Sequence, residues 1–449
     1  MNKDLAPAVD DFLTSLEGLF FVSLPDLQAI IGDFHGEMRR GLEGKASSLK
    51  MIPSFVGRPD GTEKGDFLAV DLGGTNIRVL AVELDGKRRA GLKAASRFVI
   101  PKEIMEGAGD KLFDFIAGSI QLFFDQHGIS TQRQYDLAFT FSFPVEQISI
   151  ASGKLIGWTK GFTASLVEGK DVVALLSEAL RRGELGFIRV AALANDTVGT
   201  LAAKSYSDSS CDMGVILGTG TNACYPEKGA HIKKLPDIDP SREMIINMEW
   251  GNFNKLKTNR YDQLLDRASN NEGKQQLEKM VSGMYLGELA RLIIVRMMAR
   301  GLLFTDNESP APFNKEYSWT AEQMAQTGQA GDSFAGCGLE NVSAADARAV
   351  REICRIVTAR AARLAGALIA AVVFWMDADL ESGHTIAVDG ALFEKYPGFR
   401  DKITETLREL VGARVAKIRL SLVKDGSGIG AAIIGAVVSF ARAGKGEIA

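Results

Sequence analysis

Three observations predict an α/β protein built from two related layered domains. Short apolar runs rich in β-branched residues alternate with stretches at helical spacing along most of the chain, the pattern of strands covered by helices. An apolar run ending in a Gly-Thr turn occurs twice, as Leu72-Gly-Gly-Thr-Asn76 and as Gly218-Thr-Gly-Thr-Asn222, and the two lie 146 residues apart. The 449 residues, 46% hydrophobic and 24% charged, have an average globular composition and the length of two or three domains.

Taken in order, Ser23-Leu-Pro-Asp26 reads as a helix capping box, and Leu27, Ile30, Ile31, Phe34 and Met38 follow at helical spacing, so the first 45 residues are expected to be helical. Pro53 to Gly65 reads as loop. Asp66–Asp71 and Ile77–Glu83 read as strands, and Asp85-Gly86 is a tight-hairpin dipeptide before a third strand ending at Ile100, which makes a meander. A helix is expected over Leu112–Phe124, a strand over Tyr135–Ser142, a helix over Asp171–Arg182 and a strand over Ile188–Leu193. The spacing further predicts strands at Met213–Leu217 and Ile418–Val423 and a helix over Ala431–Ala441. The longest apolar run, Leu364–Met376, has 13 residues. That is short of the roughly 20 that span a bilayer, so it reads as a buried helix.

Several function classes are excluded at this level. A formal net charge of −4 leaves no electrostatic footprint for nucleic acid or an anionic membrane. Four Cys with no C-x-x-C pair and four His do not suggest a zinc site. The first residues carry no apolar stretch behind a basic region, so the expectation is a cytoplasmic protein.

The chemistry-bearing motifs cluster at strand ends. In Asp71-Leu-Gly73-Gly74-Thr75-Asn76-Ile-Arg78, adjacent glycines let backbone amides approach an anion, Thr75 adds a hydroxyl, and Asp71 can hold a hydrated Mg²⁺. A plain hairpin would need only the glycines. Gly218-Thr219-Gly220-Thr221-Asn222-Ala223 formally matches a dinucleotide fingerprint, but the Cys224-Tyr-Pro-Glu that follows cannot open the required helix. Gly426-Ser427-Gly428 does precede a helix, yet too little chain follows for a second βα unit. No Gly-Lys dipeptide is followed by Ser or Thr, so a Walker loop is absent and phosphates would be gripped by hairpins. Asn195-Asp196-Thr197 follows a strand: Asp196 there can take a proton from a hydroxyl nucleophile, or the pair can simply cap the next helix. Ser142-Phe-Pro144, Trp158-Thr159-Lys160-Gly-Phe162 and Met248-Glu249-Trp-Gly-Asn-Phe253 set polar groups among aromatic rings, as a sugar pocket requires, though each alone equally fits a packed turn.

In this order the motifs resemble the eukaryotic-type hexokinases, which include the larger glucokinases, in single-unit form. The likeness runs from Ile52-Pro-Ser-Phe to Asp425-Gly-Ser-Gly and takes in Phe139-Thr-Phe-Ser-Phe-Pro, Ala194-Asn-Asp-Thr-Val-Gly-Thr-Leu and Val388-Asp-Gly. It implies a two-lobed actin-like ATPase fold, a ribonuclease H-like duplication with an interlobe cleft. Residues 1–54 would form a helical segment on the large lobe, 55–195 with the C-terminal helix 428–449 the small lobe, and 196–427 the large lobe. The resemblance makes Asp196 the general base, with Lys160 beside it in catalysis. It makes Ser142, Thr159, Lys160, Asn195, Asn222, Glu249 and Glu288 sugar ligands. ATP with Mg²⁺ would be held by Asp71, Gly73, Gly74, Thr75, Asn76, Arg78, Thr219, Gly220 and Thr221, with Gly390, Gly426, Ser427 and Gly428 flanking the adenosine.

The implied reaction moves the γ-phosphoryl group of MgATP to the 6-hydroxyl of an aldohexose, glucose foremost, in a monomer or homodimer. The rivals are a catalytically weak sugar sensor or an actin-like ATP-binding scaffold, against which Asp196 and Lys160 argue, and the bacterial repressor-like sugar kinases, whose clustered-Cys zinc loop is missing here. Three departures stand out. Ala391 replaces the usual Ser, Glu394 stands where some members have Lys, and Ile77 replaces Phe, removing a hydroxyl and a cation from the nucleotide side.

Overall fold

The computed structural model describes residues 5–158, 161–305, 311–328, 334, 337–339 and 342–444. Helices α1 (Leu5–Phe20) and α2 (Leu24–Leu42) open the chain, and Ser23 and Asp26 form the expected reciprocal capping box at α2. The first lobe then runs β1 (Ile52–Pro53), β2 (Lys64–Leu72), β3 (Asn76–Asp85), β4 (Ala90–Val99), α3 (Lys102–Met105), α4 (Gly109–His127), β5 (Tyr135–Phe141), β6 (Val145–Ser149), β7 (Ser152–Leu155), α5 (Val172–Arg182) and β8 (Ile188–Ala194). After α6 (Asp196–Ser207) come β9 (Cys211–Leu217), β10 (Thr221–Lys228), β11 (Glu243–Asn247), α7 (Arg260–Ala268), α8 (Gln276–Val281), α9 (Gly283–Met298) and α10 (Ala321–Thr327). The chain continues through α11 (Ala344–Met376), β12 (His384–Asp389), α12 (Ala391–Lys395), α13 (Phe399–Val411), β13 (Ile418–Leu422) and α14 (Gly426–Gly444).

The internal duplication is visible in the strand order. One sheet runs β4-β3-β2-β5-β8 and the other β11-β10-β9-β12-β13, with β1 added at the β11 edge. In each, a three-strand antiparallel meander is followed by two parallel strands on the far side of its first strand. The two Gly-Thr motifs are therefore the equivalent first hairpins of the two sheets. Helices α6 and α14 are likewise equivalent, each following the last strand of its sheet.

Those two helices lie between the sheets. Helix α14 packs on β2, β5 and β8, α6 packs on β9 and β10, and the pair cross each other. The crossing needs glycine: a Cβ on Gly430 would lie 1.8 Å from the Gly199 carbonyl oxygen. An inner core of Ala69, Leu80, Ala138, Ala192, Leu201, Ala431 and Ile434 fills this layer, and small residues there let helix and sheet backbones come close. The outer layers are α4 and α5 on the first sheet and α11, α13, α2 and α1 around the second.

Three expectations shift. The segment read as loop from Pro53 begins in β1, which pairs with β11, and β2 starts early at Lys64. The last helix begins at Gly426 rather than Gly428. Helix α6 belongs to the layer between the sheets rather than to one lobe. The apolar run at Leu364–Met376 is the second half of the 33-residue α11, whose most apolar 18-residue stretch is 94% buried inside the protein.

Candidate active site

Strand polarity puts the carboxyl ends of β2, β5 and β8 at one edge, where ligands of open α/β sheets bind. Asn195 and Asp196 leave β8 there. Asn195 caps α6 by accepting the Thr197 amide at 2.9 Å, which makes the helix-cap reading correct for Asn195 and leaves Asp196 as the first helical residue. Both side chains are half-buried. Ser142 follows β5, its amide bonded to the Leu72 carbonyl at 3.2 Å, so it stands beside the Asp71 hairpin.

Groups from the second sheet form a polar network that reaches Asn195, the residue before Asp196. The Asn222 amide nitrogen on β10 donates to Asn247 at 2.8 Å and to Glu249 Oε1 at 3.1 Å, and it reaches Asn195 at 3.5 Å. Asn247, at the end of β11, donates to the same Glu249 oxygen at 2.9 Å. Glu249 sits at φ 52°, a left-handed conformation uncommon for a non-glycine residue and concentrated at functional turns. Asn247 was not singled out from the sequence.

The carboxylate that stands at the second hairpin is Glu278, not Glu288. Glu288 is 2% exposed and holds Arg291 through two bonds, at 2.7 and 2.8 Å, and the Tyr317 amide at 2.7 Å. It is a structural ion pair inside α9. Glu278 instead accepts the Thr221 amide at 3.1 Å, and a Cβ on Gly220 would lie 2.9 Å from its Oε2, so it sits under the second Gly-Thr hairpin. The sequence held a usable signal: Glu288 and Arg291 are three apart in an apolar helix, the spacing of an internal pair. The neighbours of Glu278, by contrast, alternate into the core at Leu277, Met280 and Val281.

Thr221 is also reassigned. Its buried hydroxyl donates to the Ile216 carbonyl and accepts the Trp250 indole N–H, both at 2.9 Å, so it is consumed inside the hairpin instead of facing a phosphate. Thr219 is exposed at the tip, and the carbonyls of Gly218 and Thr219 take the first amides of α9 at 2.8 and 3.1 Å.

Facing them, the first hairpin presents Gly73, Gly74 and Thr75, with Asn76 bonded to the Thr75 hydroxyl at 3.0 Å. Asp71 accepts the Ser427 hydroxyl at 2.8 Å, which ties β2 to the first turn of α14. Arg78 pairs with Asp425 at 3.0 Å in the turn before that helix. Gly390 must be glycine: at φ 126° a Cβ would lie 2.3 Å from the Leu217 carbonyl oxygen. Burial pushes the neighbouring Asp389 carboxyl up to about 6. Gly426 and Gly428 are buried, Gly428 against Leu80, so these two serve helix packing, and Ser427 carries the polar group of the motif. Glu394 pairs with Lys424 at 2.6 Å, in the turn before α14.

Thr159 and Lys160 lie outside the described residues. Trp158, just before them, stacks on Phe162 with ring centroids 5.2 Å apart and meets Phe143 edge-on at 4.9 Å. Among the described residues, no group of three His, Cys, Asp or Glu is placed to hold a metal ion. One carboxylate, Asp71, at the phosphate hairpin suits a hydrated Mg²⁺ carried in on phosphates, which keeps most of its waters.

Comparisons agree with this geometry. Two family models described as Hexokinase match, over residues 13–206 and 212–437. The chain is 43% identical to Hexokinase-2 of Oryza sativa subsp. japonica, covering 90% of this chain and 86% of that one. It is 40% identical to human Hexokinase-3 over 93% of this chain but only 46% of the relative, so it spans about half the length of that protein. A solved hexokinase from Schistosoma mansoni, complexed with glucose, superposes with a TM-score of 0.85 at 37% identity over 97% of this chain and 99% of that one. With matching models over both halves, relatives at this identity and the same two-sheet architecture, the chain belongs to the hexokinase family.

Proposed function

We propose that this hexokinase transfers the γ-phosphoryl group of MgATP to the 6-hydroxyl of an aldohexose, glucose foremost, in the cleft between the two sheets, giving hexose 6-phosphate and ADP. The observation that carries the site assignment is the convergence of Asn195, Asn222, Asn247 and Glu249, drawn from both sheets into one hydrogen-bonded network, with Asp196 the next residue after Asn195. Such an array matches a polyhydroxylated ring, since amides donate and accept while carboxylates only accept. Asp196 takes the proton of the attacking hydroxyl. Phosphoryl transfer is mostly positioning and charge stabilisation, so the hairpin amides, Arg78 and Lys160 supply what the chain must provide. Mg²⁺ bound with ATP neutralises phosphate charge, and Asp71 would hold its water shell. Four buried free thiols fit a reducing compartment such as the cytoplasm.

ADP release measured with a panel of hexoses tests the reading. Turnover should require a hexose with a free 6-hydroxyl, and ADP release indifferent to every sugar would overturn it.

A further inference from the structure

The β6–β7 ribbon joins the Ser142-Phe-Pro144 segment to Trp158 along the chain. It is irregular at one point. Gln147 pairs with Gly153 and Ser149 with Ser152, so Ile148 is an extra residue, 49% exposed. Bulges of this kind re-aim a side chain. Here the re-aimed side chain is Gln147, which is half-buried.

Its amide nitrogen faces three backbone carbonyls, Leu193 at 3.1 Å, Ser149 at 3.3 Å and Ser54 at 3.4 Å. They belong to three different segments. Leu193 is in β8, two residues before Asn195, and its own amide is bonded to the Ile150 carbonyl at 2.7 Å, so ribbon and strand are joined in both directions. Ser54 is held by the other sheet: its amide donates to Ile245 of β11 at 3.0 Å, and Ile245 donates to Val56 at 2.8 Å. Ile245 is two residues before Asn247. Gly153 completes the junction, because a Cβ there would lie 2.6 Å from both Leu193 and Val145 side chains.

We infer that Gln147 is a positioning residue for the sugar site: its amide fixes the spacing between β8, which delivers Asn195 and Asp196, and the β1–β11 edge, which delivers Asn247 and Glu249. Its amide is spent on backbone carbonyls. The two halves of the sugar-binding set sit on different sheets, and this is a direct side-chain link between the strands just behind them. Removing the donor leaves carbonyls of both segments short of a partner and lets their spacing relax. The sugar then has to restore it.

This rests on the hexokinase reading above, and the test separates the two. Gln147→Met keeps length and packing but has no donor. Its KM for glucose should rise about five- to tenfold, the scale of one hydrogen bond, with kcat within about twofold, because binding is lost equally before and at the transition state. KM for ATP at saturating glucose should hold within about twofold, and the melting temperature should stay near the wild-type value. An unchanged glucose KM, or an equal loss toward both substrates, would overturn the positioning role alone. Absence of glucose-dependent turnover in the wild type would overturn the function itself. Gln147→Glu supplies an independent readout: ionised, it opposes three carbonyls, and protonated, it regains one donor. At pH 8 its glucose KM should therefore rise more than that of Gln147→Met. A glucose KM equal to the wild-type value in Gln147→Glu would count against the role.

Discussion

Glu278 and Glu288 are the same residue type ten positions apart, yet their surroundings give them opposite duties. Glu288 is sealed in with Arg291, and breaking a buried pair by removing one partner costs about 3 kcal/mol or more. Glu288→Ala should therefore lower the free energy of unfolding, read from urea melts, by that amount, while the folded fraction binds glucose normally. Glu278 faces the second hairpin. Glu278→Gln should keep the fold and weaken glucose binding by about 1.5 to 3 kcal/mol, the range for a hydrogen bond to a charged group. Calorimetric titration of both variants checks the pair, and a weaker glucose affinity in folded Glu288→Ala with none in Glu278→Gln would reverse the assignment. The same contrast explains what the sequence hid. Motif order places Asp196, Asn195, Asn222 and Glu249 in one site because each sits at a strand end, next to a recognisable motif. Glu278 lies inside the short α8 and next to no motif, and only tertiary packing brings it to Gly220.

At the scale of elements, His384 joins three of them at the end of the second sheet remote from the cleft. It begins β12, its Nδ1 meets Asp212 of β9 at 2.6 Å, and its Nε2 meets Asp377 just after α11 at 3.3 Å. Only the imidazolium donates from both nitrogens. The Asp212 carboxylate, helped by Asp377, raises this histidine above the ordinary 6.5 in spite of its burial. A folded value above the unfolded one means that the stabilisation is complete below pH 6.5 and is lost as pH climbs through the folded value. His384→Gln should thus cost about 2 kcal/mol at pH 6 and markedly less at pH 9, read as the difference from wild type in urea midpoints. Taking that difference cancels His35, whose burial lowers its own value and gives the opposite trend. A penalty independent of pH would mean that the imidazole is neutral in the fold. None of this was legible beforehand, since Asp212, Asp377 and His384 share no motif. The meander, the two hairpins and the capping box were legible, because turn chemistry and apolar period are local properties. The β6–β7 ribbon was not, because its residues alternate weakly and its bulge interrupts the period.

At the scale of the whole molecule, the repeated hairpin predicted a duplication, and the two sheets carry it out with identical strand order and equivalent helices α6 and α14 packed between them. That symmetry explains why the site has two kinds of wall. Each sheet contributes a Gly-Thr hairpin at its carboxyl edge, and Asp196 starts the helix that lies in the layer shared by both. The central claim, that this cleft moves a phosphoryl group to a sugar hydroxyl with Asp196 as base, is tested most directly by ³¹P NMR of the wild type and Asp196→Ala with MgATP and glucose. The wild type should convert the γ-phosphate resonance into that of a hexose 6-phosphate in step with ADP. The folded variant should do so at least about 10²-fold more slowly, the scale of a general base, while binding glucose with little change. Near-normal conversion by Asp196→Ala, or ADP formed with inorganic phosphate and no sugar phosphate in the wild type, would contradict it.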